Sequence, residues 1–281
     1  MTKNHDTISV HDKERHFHDE WAESIQLESI QVHNAFESPT AMENQFILRE
    51  MGDLRGKCLL DIGAGLGESS VYFALKGAQV TCTDISPGMV KCASDLGRLH
   101  GVQLQAIVSP AEDLSSPKDY FDIVYMANVI HHVTNKESLF REVNRVLKPG
   151  GHFFTIDPLA YNPVINIYRR MATAVRSDDE APLTFHDIAL AEKYFVNVRH
   201  REFWIATLAL FLKYYLWDRI HPNADRYWKR IFNETRGSLI WWRPLRALDS
   251  VLTRLPLIRR LSWNIVMWGQ KPLDSGLRQR G

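Results

Sequence analysis

Residues 58–67 constrain this chain more than any other stretch. Cys58-Leu59-Leu60-Asp61-Ile62 is a short apolar run, and it leads directly into Gly63-Ala64-Gly65-Leu66-Gly67. An apolar run of five residues ending in glycines predicts a buried strand followed by a tight turn. Glu68 to Lys76 then reads as a helix stopped by Gly77, the residue type that most easily takes the left-handed C-terminal position. A glycine-rich turn between strand and helix lets a ligand approach the backbone and meet the amides at the helix start.

The same rhythm continues from Lys57 to Pro158 and predicts a parallel α/β sheet. Ala78–Thr83 is the second strand. Ser86 caps the next helix, with Pro87 at its favoured first position. Phe121–Ala127 is a further buried strand. Thr134-Asn135-Lys136-Glu137 has capping-box spacing, and Leu139, Val143, Val146 and Leu147 form one face of the helix that it opens. Lys148-Pro149-Gly150-Gly151 should end that helix before a strand at His152–Asp157. Upstream, Thr40–Met51 reads as a helix at the edge of the sheet. Beyond Pro158, Tyr161–Val175 and Phe185–Phe195 read as helices, and Val196–Trp204 and Ser262–Gln270 as strands. About 55 bulky, basic residues separate those two strands and are expected to be helical, a connection long enough to have its own function.

A dinucleotide fingerprint spaces its glycines Gly-x-Gly-x-x-Gly, whereas here the third glycine comes one residue early. A carboxylate, Asp61, also precedes the first glycine by two. It would repel a pyrophosphate and suits an ammonium group. Asp84 ends the second strand, where a carboxylate can accept hydrogen bonds from both hydroxyls of a ribose. Ala111-Glu112-Asp113-Leu114 follows the third strand and offers an acid to an adenine amino group. An ammonium, a ribose and an adenine without a phosphate describe S-adenosylmethionine.

These segments, with Ile85-Ser86-Pro87-Gly88-Met89, Phe121-Asp122-Ile123-Val124 through His131-His132, and Val143–Gly151, resemble the class I S-adenosylmethionine-dependent methyltransferases. The likeness is greatest to the small-molecule branch related to the quinone-biosynthesis C-methyltransferases, and it spans roughly Thr40–Pro158. It implies a Rossmann-like, seven-stranded, mostly parallel sheet in a three-layer α/β/α fold. By the same resemblance, Asp61, Gly63, Ala64, Gly65 and Gly67 would surround the methionine end, and Asp84 would hold the ribose. Ile85 and Met89 would pack on the adenine beside Ala111, with Glu112 or Asp113 at its amino group. Asn128 would line the sulfonium pocket.

Amide N-methyltransferases of this fold carry an (Asp/Asn)-Pro-Pro-(Tyr/Phe) tetrapeptide after the fourth strand, where this chain has Asn128-Val129-Ile130-His131. No Pro-Cys pair of the cytosine C5 type occurs either. Both absences favour a small-molecule or lipid acceptor over nucleic acid, and the expected acceptor is small and hydrophobic or lipid-like. His131 and His132 titrate near neutrality and are candidate bases, with Asp157 as a rival base or substrate anchor. Asp178, Asp179 and Glu180 read as a solvated turn, so no metal is expected.

The formal charge of +1, from 34 Lys and Arg against 33 Asp and Glu, conceals a division. From Arg199 onward there are 16 basic and 6 acidic residues, and seven of the eight tryptophans lie in that stretch. Tryptophan and arginine on an amphipathic segment suit a membrane face, while the same residues also suit a lid or a dimer interface. The expected division is 1–39 as an N-terminal extension, 40–204 with 261–271 as the cofactor-binding core, 205–260 as an insertion, and 272–281 as a tail. The longest apolar run, Phe203–Leu212, is ten residues, against about 20 for a span. Cys58, Cys82 and Cys92 have the spacing of isolated thiols. A cytoplasmic protein, possibly at a membrane face, is the expectation. The competing class is a catalytically silent scaffold that uses the basic insertion as its contact surface.

Overall fold

The computed structural model describes residues 10–173, 180–234 and 240–273. Three helices, α1 (Val10–Glu23), α2 (Asn34–Glu37) and α3 (Met42–Met51), precede the sheet. An alternating series follows: β1 (Cys58–Ile62), α4 (Glu68–Leu75), β2 (Gln79–Asp84), α5 (Pro87–Leu99), β3 (Gln105–Val108) and β4 (Phe121–Ala127). Then come α6 (Lys136–Val146), β5 (Leu147–Pro158), α7 (Pro163–Met171), α8 (Phe185–Ala191) and β6 (Val196–Phe203). After α9 (Ala209–Leu212), α10 (Tyr227–Arg230) and α11 (Trp242–Leu252), the chain closes the sheet with β7 (Asn264–Gln270).

The seven strands lie in the order β3-β2-β1-β4-β5-β7-β6. β1 to β5 run parallel, and β7 is antiparallel to both β5 and β6. Strand order reverses between β1 and β4, and open α/β sheets place their ligand crevice at the carboxyl ends of the strands at that point. Both faces are covered, so successive strand residues enter different cores. Leu59, Tyr125, Phe154 and Val266 pack on one side with Val71 and Phe73 of α4. Leu60, Val124, Met126 and Phe153 pack on the other with Leu139, Phe140, Val143 and Val146 of α6. Both faces being apolar explains why the strands read as continuous hydrophobic runs.

Several sequence expectations shift. Asn135, not Thr134, caps α6, accepting the Ser138 amide at 3.0 Å. Leu147 already belongs to β5, and the Lys148–Gly151 stretch lies within that strand. Gly150 takes a φ of +81° there, and the pairing with β4 slips between Phe121 and Ile123, so the glycines absorb a bulge. α3 lies across the sheet face, not at its edge. Its Asn44 accepts the Tyr125 hydroxyl at 2.8 Å, and its Phe46 meets Phe203 and Trp268. The helix expected over 161–175 is shortened to α7, and Ala174 and Val175 fall outside the described residues.

The stretch between β6 and β7 is not continuous helix. Among the described residues it breaks into short turns of α, 3-10 and π type, and there only α11 exceeds five residues. Pro222 cannot continue a helix, and the packed aromatic rings direct the chain instead. Trp204, Trp242 and Trp263 form one buried cluster with Phe211. Asp249 of α11 anchors the segment, accepting the amides of Ile205, Ala206 and Thr207 together with the Thr207 hydroxyl. The insertion also grips the N-terminal helices: Trp242 Nε1 donates to the Pro39 carbonyl at 3.0 Å, and the Thr40 hydroxyl donates to that of Ile231 at 2.5 Å.

Candidate active site

A cleft of about 600 Å³ opens at the carboxyl ends of β1, β2 and β4. Its floor is the glycine loop. Gly63 has a φ of +66°, and a Cβ there would come within 2.5 Å of Val129 Cγ2, so only glycine lets the β1 and β4 loops meet. Gly65, with a φ of +54°, faces open space and presents bare backbone to the cleft. Its amide donates to Asp84 Oδ2 at 2.9 Å, and the Ser86 amide donates to Asp84 Oδ1 at 2.9 Å.

Of the residues singled out for a cofactor, Asp61, Gly63, Ala64 and Gly65 line this cleft together, and so do Asp84, Ile85, Ala111, Glu112 and Asn128. Three others lie elsewhere. Gly67 packs its backbone against Ala93 of α5, where a Cβ would clash at 2.7 Å. Met89 is buried beneath the loop with Leu66 and Ala22. Asp113 is exposed, which leaves Glu112 as the acid of that pair on the cleft wall. Asn128 holds a left-handed φ of +59°, with its amide on the Ile156 carbonyl at 2.7 Å. A short polar side chain tolerates that conformation better than most.

Burial pushes the Asp61 carboxyl up to about 7, the charges of Asp84 and Glu68 add to this, and the Ser70 hydroxyl opposes it from 2.6 Å. Burial likewise raises Asp84. Two buried acids side by side are costly unless a cation or donor joins them. The site is therefore complementary to a ligand carrying an ammonium and hydroxyl groups.

His131 and His132 stand on the turn after β4, with ring centroids 4.1 Å apart, and both line the cleft. Asp157 does not reach the cleft. It is fully buried behind His131, 2.8 Å from Nδ1, and its second oxygen accepts the Thr155 hydroxyl at 2.7 Å. Burial pushes its carboxyl up to about 7. The arrangement makes Asp157 an orienting group for the imidazole. Glu180, expected in a solvated turn, instead turns inward to 3.8 Å from His131 Nε2. It brings one ligand atom within 4.8 Å of those of both histidines, close enough for the three to share a proton or a cation. Asp178 and Asp179 lie outside the described residues.

The N-terminal helix supplies groups besides Phe17 and Trp21, the two whose rings the sequence suggests either close over the cofactor or simply pack the helix. Asp19 accepts the Ser86 hydroxyl and the Gly88 amide, fixing α1 on α5. Glu14 lies 3.2 Å from His132 Nδ1, and His11 lies 3.4 Å from Glu112. Phe17 and Trp21 form part of the wall, which the insertion completes with Arg226, Trp228 and Phe232. None of these carries a motif. Their polar and aromatic character on a short amphipathic helix was the only available signal.

Residues 60–155 match the Methyltransferase domain family. Over those residues the chain is similar to methyltransferase domains. A ubiquinone biosynthesis O-methyltransferase of Xanthomonas oryzae is 40% identical over 107 residues, 36% of this chain and 43% of that protein. A ubiquinone/menaquinone biosynthesis C-methyltransferase of Chromobacterium violaceum is 36% identical over 115 residues, 40% of this chain and 47% of that protein. The chain thus spans less than half the length of the curated relatives it matches. In fold, the methyltransferase domain and its additions are similar to the Haemonchus contortus phosphoethanolamine N-methyltransferase 2 in complex with phosphomonomethylethanolamine and S-adenosylhomocysteine. That likeness has a TM-score of 0.59 at 18% identity, covering 95% of this chain and 61% of the other. The [4+2]-cyclase SpnF is similar with a TM-score of 0.53 at 18% identity, covering 84% of this chain and 81% of the other. Both likenesses concern the fold alone.

Proposed function

We propose that the chain transfers a methyl group from S-adenosylmethionine to a small acceptor held in this cleft. The paired buried acids lining the cleft at the glycine loop carry the reading, since a cationic, hydroxyl-bearing ligand would offset the cost of their burial. Asp61 would receive the ammonium group and Asp84 the ribose hydroxyls, with Ile85 beside the adenine and Glu112 at its amino group. The cofactor, when bound, supplies an electrophilic methyl group; the chain aligns the nucleophile and takes its proton. With Asp157 ionised and accepting from Nδ1–H, His131 Nε2 would be left as the acceptor on the far side of the ring. A proton arriving at Nε2 would lie between Asp157 and the neighbouring Glu180 carboxylate.

The test is calorimetry with S-adenosylmethionine and S-adenosylhomocysteine. Wild type should bind both, and Asp61→Ala and Asp84→Ala should each weaken binding at least about ten-fold. No binding by wild type, or no loss in either variant, would remove the enzyme reading and leave a silent Rossmann-like scaffold.

In the same reading, the described residues within 1–39 and 205–260 form a two-part cap over those of the core, 40–204 with 261–271. The outer face of that cap is proposed to rest on an anionic membrane. Trp217, Trp241 and Leu257 are 85%, 74% and 78% exposed. On α11 and the turn after it, Leu248, Val251 and Leu255 face solvent at helical spacing, flanked by exposed Arg243, Arg246 and Arg254. An outward apolar stripe bordered by arginines is how an interfacial helix binds lipid. Among the described residues no helix is long and apolar enough to cross a membrane. Co-sedimentation with phosphatidylglycerol vesicles should be lost in a Leu248→Ser/Val251→Ser variant. Absence of wild-type binding, with a dimer in solution, would assign the stripe to a second copy.

A further inference from the structure

Two guanidinium groups in the cleft have no use in the reading above. Arg169 is on the last turn of α7, and Arg226 immediately precedes α10; both line the cleft. Neither makes a hydrogen bond or an ion pair to any described residue. Arg226 Nε is buried without a partner, and the guanidinium lies 4.2 Å from the centroid of the Trp21 ring, a contact that holds it in place without engaging its donors. Of the acids, only the adjacent Asp225 acts on Arg226 at a distance, and its carboxylate is engaged by Arg230.

Burial alone pushes Arg169 down to about 10, with no carboxylate acting against it. A guanidinium remains protonated at neutral pH, so its lost hydration is not compensated within the described chain. The neighbouring charges are already engaged. Lys229 pairs with Glu68, and Arg230 pairs with Asp225 at 2.6 Å. Of the other cleft acids, Glu43 accepts from Trp204 and Asn264, and Glu112 faces His11. Arg170, the next residue along, is simply exposed. Two half-buried guanidinium groups with no hydrogen-bonded acid among the described residues, in a cleft otherwise rich in acids, select a ligand of opposite charge.

We infer that the acceptor carries an anionic group, a carboxylate or a phosphate, and that Arg169 and Arg226 receive it. This inference rests on the methyltransferase reading. A guanidinium presents parallel N–H donors that match the oxygens of either group. Together with Trp228, Phe232 and Ile25 on the same wall, the pair describes an acceptor with an apolar body and an anionic end.

The experiment titrates benzoate, phenyl phosphate and neutral benzamide into the protein saturated with S-adenosylhomocysteine. One or both anions should bind at least about ten-fold more tightly than benzamide. The tighter of the two identifies the oxyanion preferred. Arg169→Gln and Arg226→Gln should each weaken the anion at least about ten-fold, with Arg→Lys at either position restoring part of the loss and S-adenosylhomocysteine affinity unchanged. Equal binding of benzamide and the anions by wild type overturns the inference, and that comparison requires no variant to fold. Loss of S-adenosylhomocysteine binding in the glutamine variants overturns it as well, because the arginines would then serve the cofactor's own carboxylate. Failure of wild type to bind S-adenosylhomocysteine at all is a different result, and it falls on the methyltransferase reading.

Discussion

At residue scale, Asp61 sets the pH response of the site. Its carboxyl is pushed up to about 7 by burial, yet holding an ammonium requires the carboxylate. Cofactor binding must then release a proton below that pH. Affinity for S-adenosylhomocysteine should fall about ten-fold from pH 8 to pH 6, and Asp61→Asn should flatten the profile at a lower affinity. Calorimetry across that range checks both. Gly63 and Gly65 make a second contrast. Both have positive φ, but a methyl group at Gly63 meets Val129, whereas one at Gly65 meets nothing. Gly63→Ala should cost about 3 kcal/mol of stability, and Gly65→Ala about 1 kcal/mol while obstructing the cleft. Urea denaturation of the two variants separates them. The identities of these residues were legible from the loop's spacing. The clash with Val129 was not, because it joins loops more than sixty residues apart.

At the scale of elements, α11 depends on one side chain. Asp249 is buried and caps three successive amides at the exit of β6, so the helix is fastened to the core by a carboxylate as much as by apolar contact. Asp249→Ala leaves those donors unpaired and should cost about 3 kcal/mol, with Asn recovering part of it. An unchanged urea midpoint would show that packing at Trp242 suffices. The core elements were readable because their periodicity is local: β4 occupies the residues expected, and Ser86 caps α5 as expected, accepting the Met89 amide at 3.0 Å. The insertion was not readable as helix or turn. Its bulky residues are as compatible with rings packed around Trp204 as with an amphipathic stripe, and only the tertiary partners distinguish the two.

At the scale of the molecule, three buried acids work against the usual dependence of stability on pH, which paired carboxylates outside the core such as Asp53 and Asp95 follow. Glu43, Asp61 and Asp157 each have a carboxyl pushed up to about 7. Between about pH 4 and pH 7 the folded chain therefore binds more protons than the unfolded one at these three positions, and their contribution to stability falls as pH rises. Glu43 accepts both Trp204 Nε1 and Asn264 Nδ2 through Oε1, a role that an amide oxygen retains. Glu43→Gln should stabilise the protein by about 2 kcal/mol at pH 8 and have little effect at pH 5; thermal unfolding at the two pH values checks the difference. The division of charge along the chain also acquires a place. Most of the late tryptophans are core or cleft wall, two are exposed, and two of the late basic residues, Arg226 and Lys229, line the cleft. The sequence alone determined the parallel α/β core, the glycine loop and the acids around it, because strand and helix periodicity and turn chemistry act over a few neighbours. Only the tertiary structure decided that Asp157 stands behind His131, that α1 and the insertion close one cleft, and that Arg169 and Arg226 line it without a hydrogen-bonded acid among the described residues. Those relations depend on which distant segments meet, and on what solvation each group loses when they do.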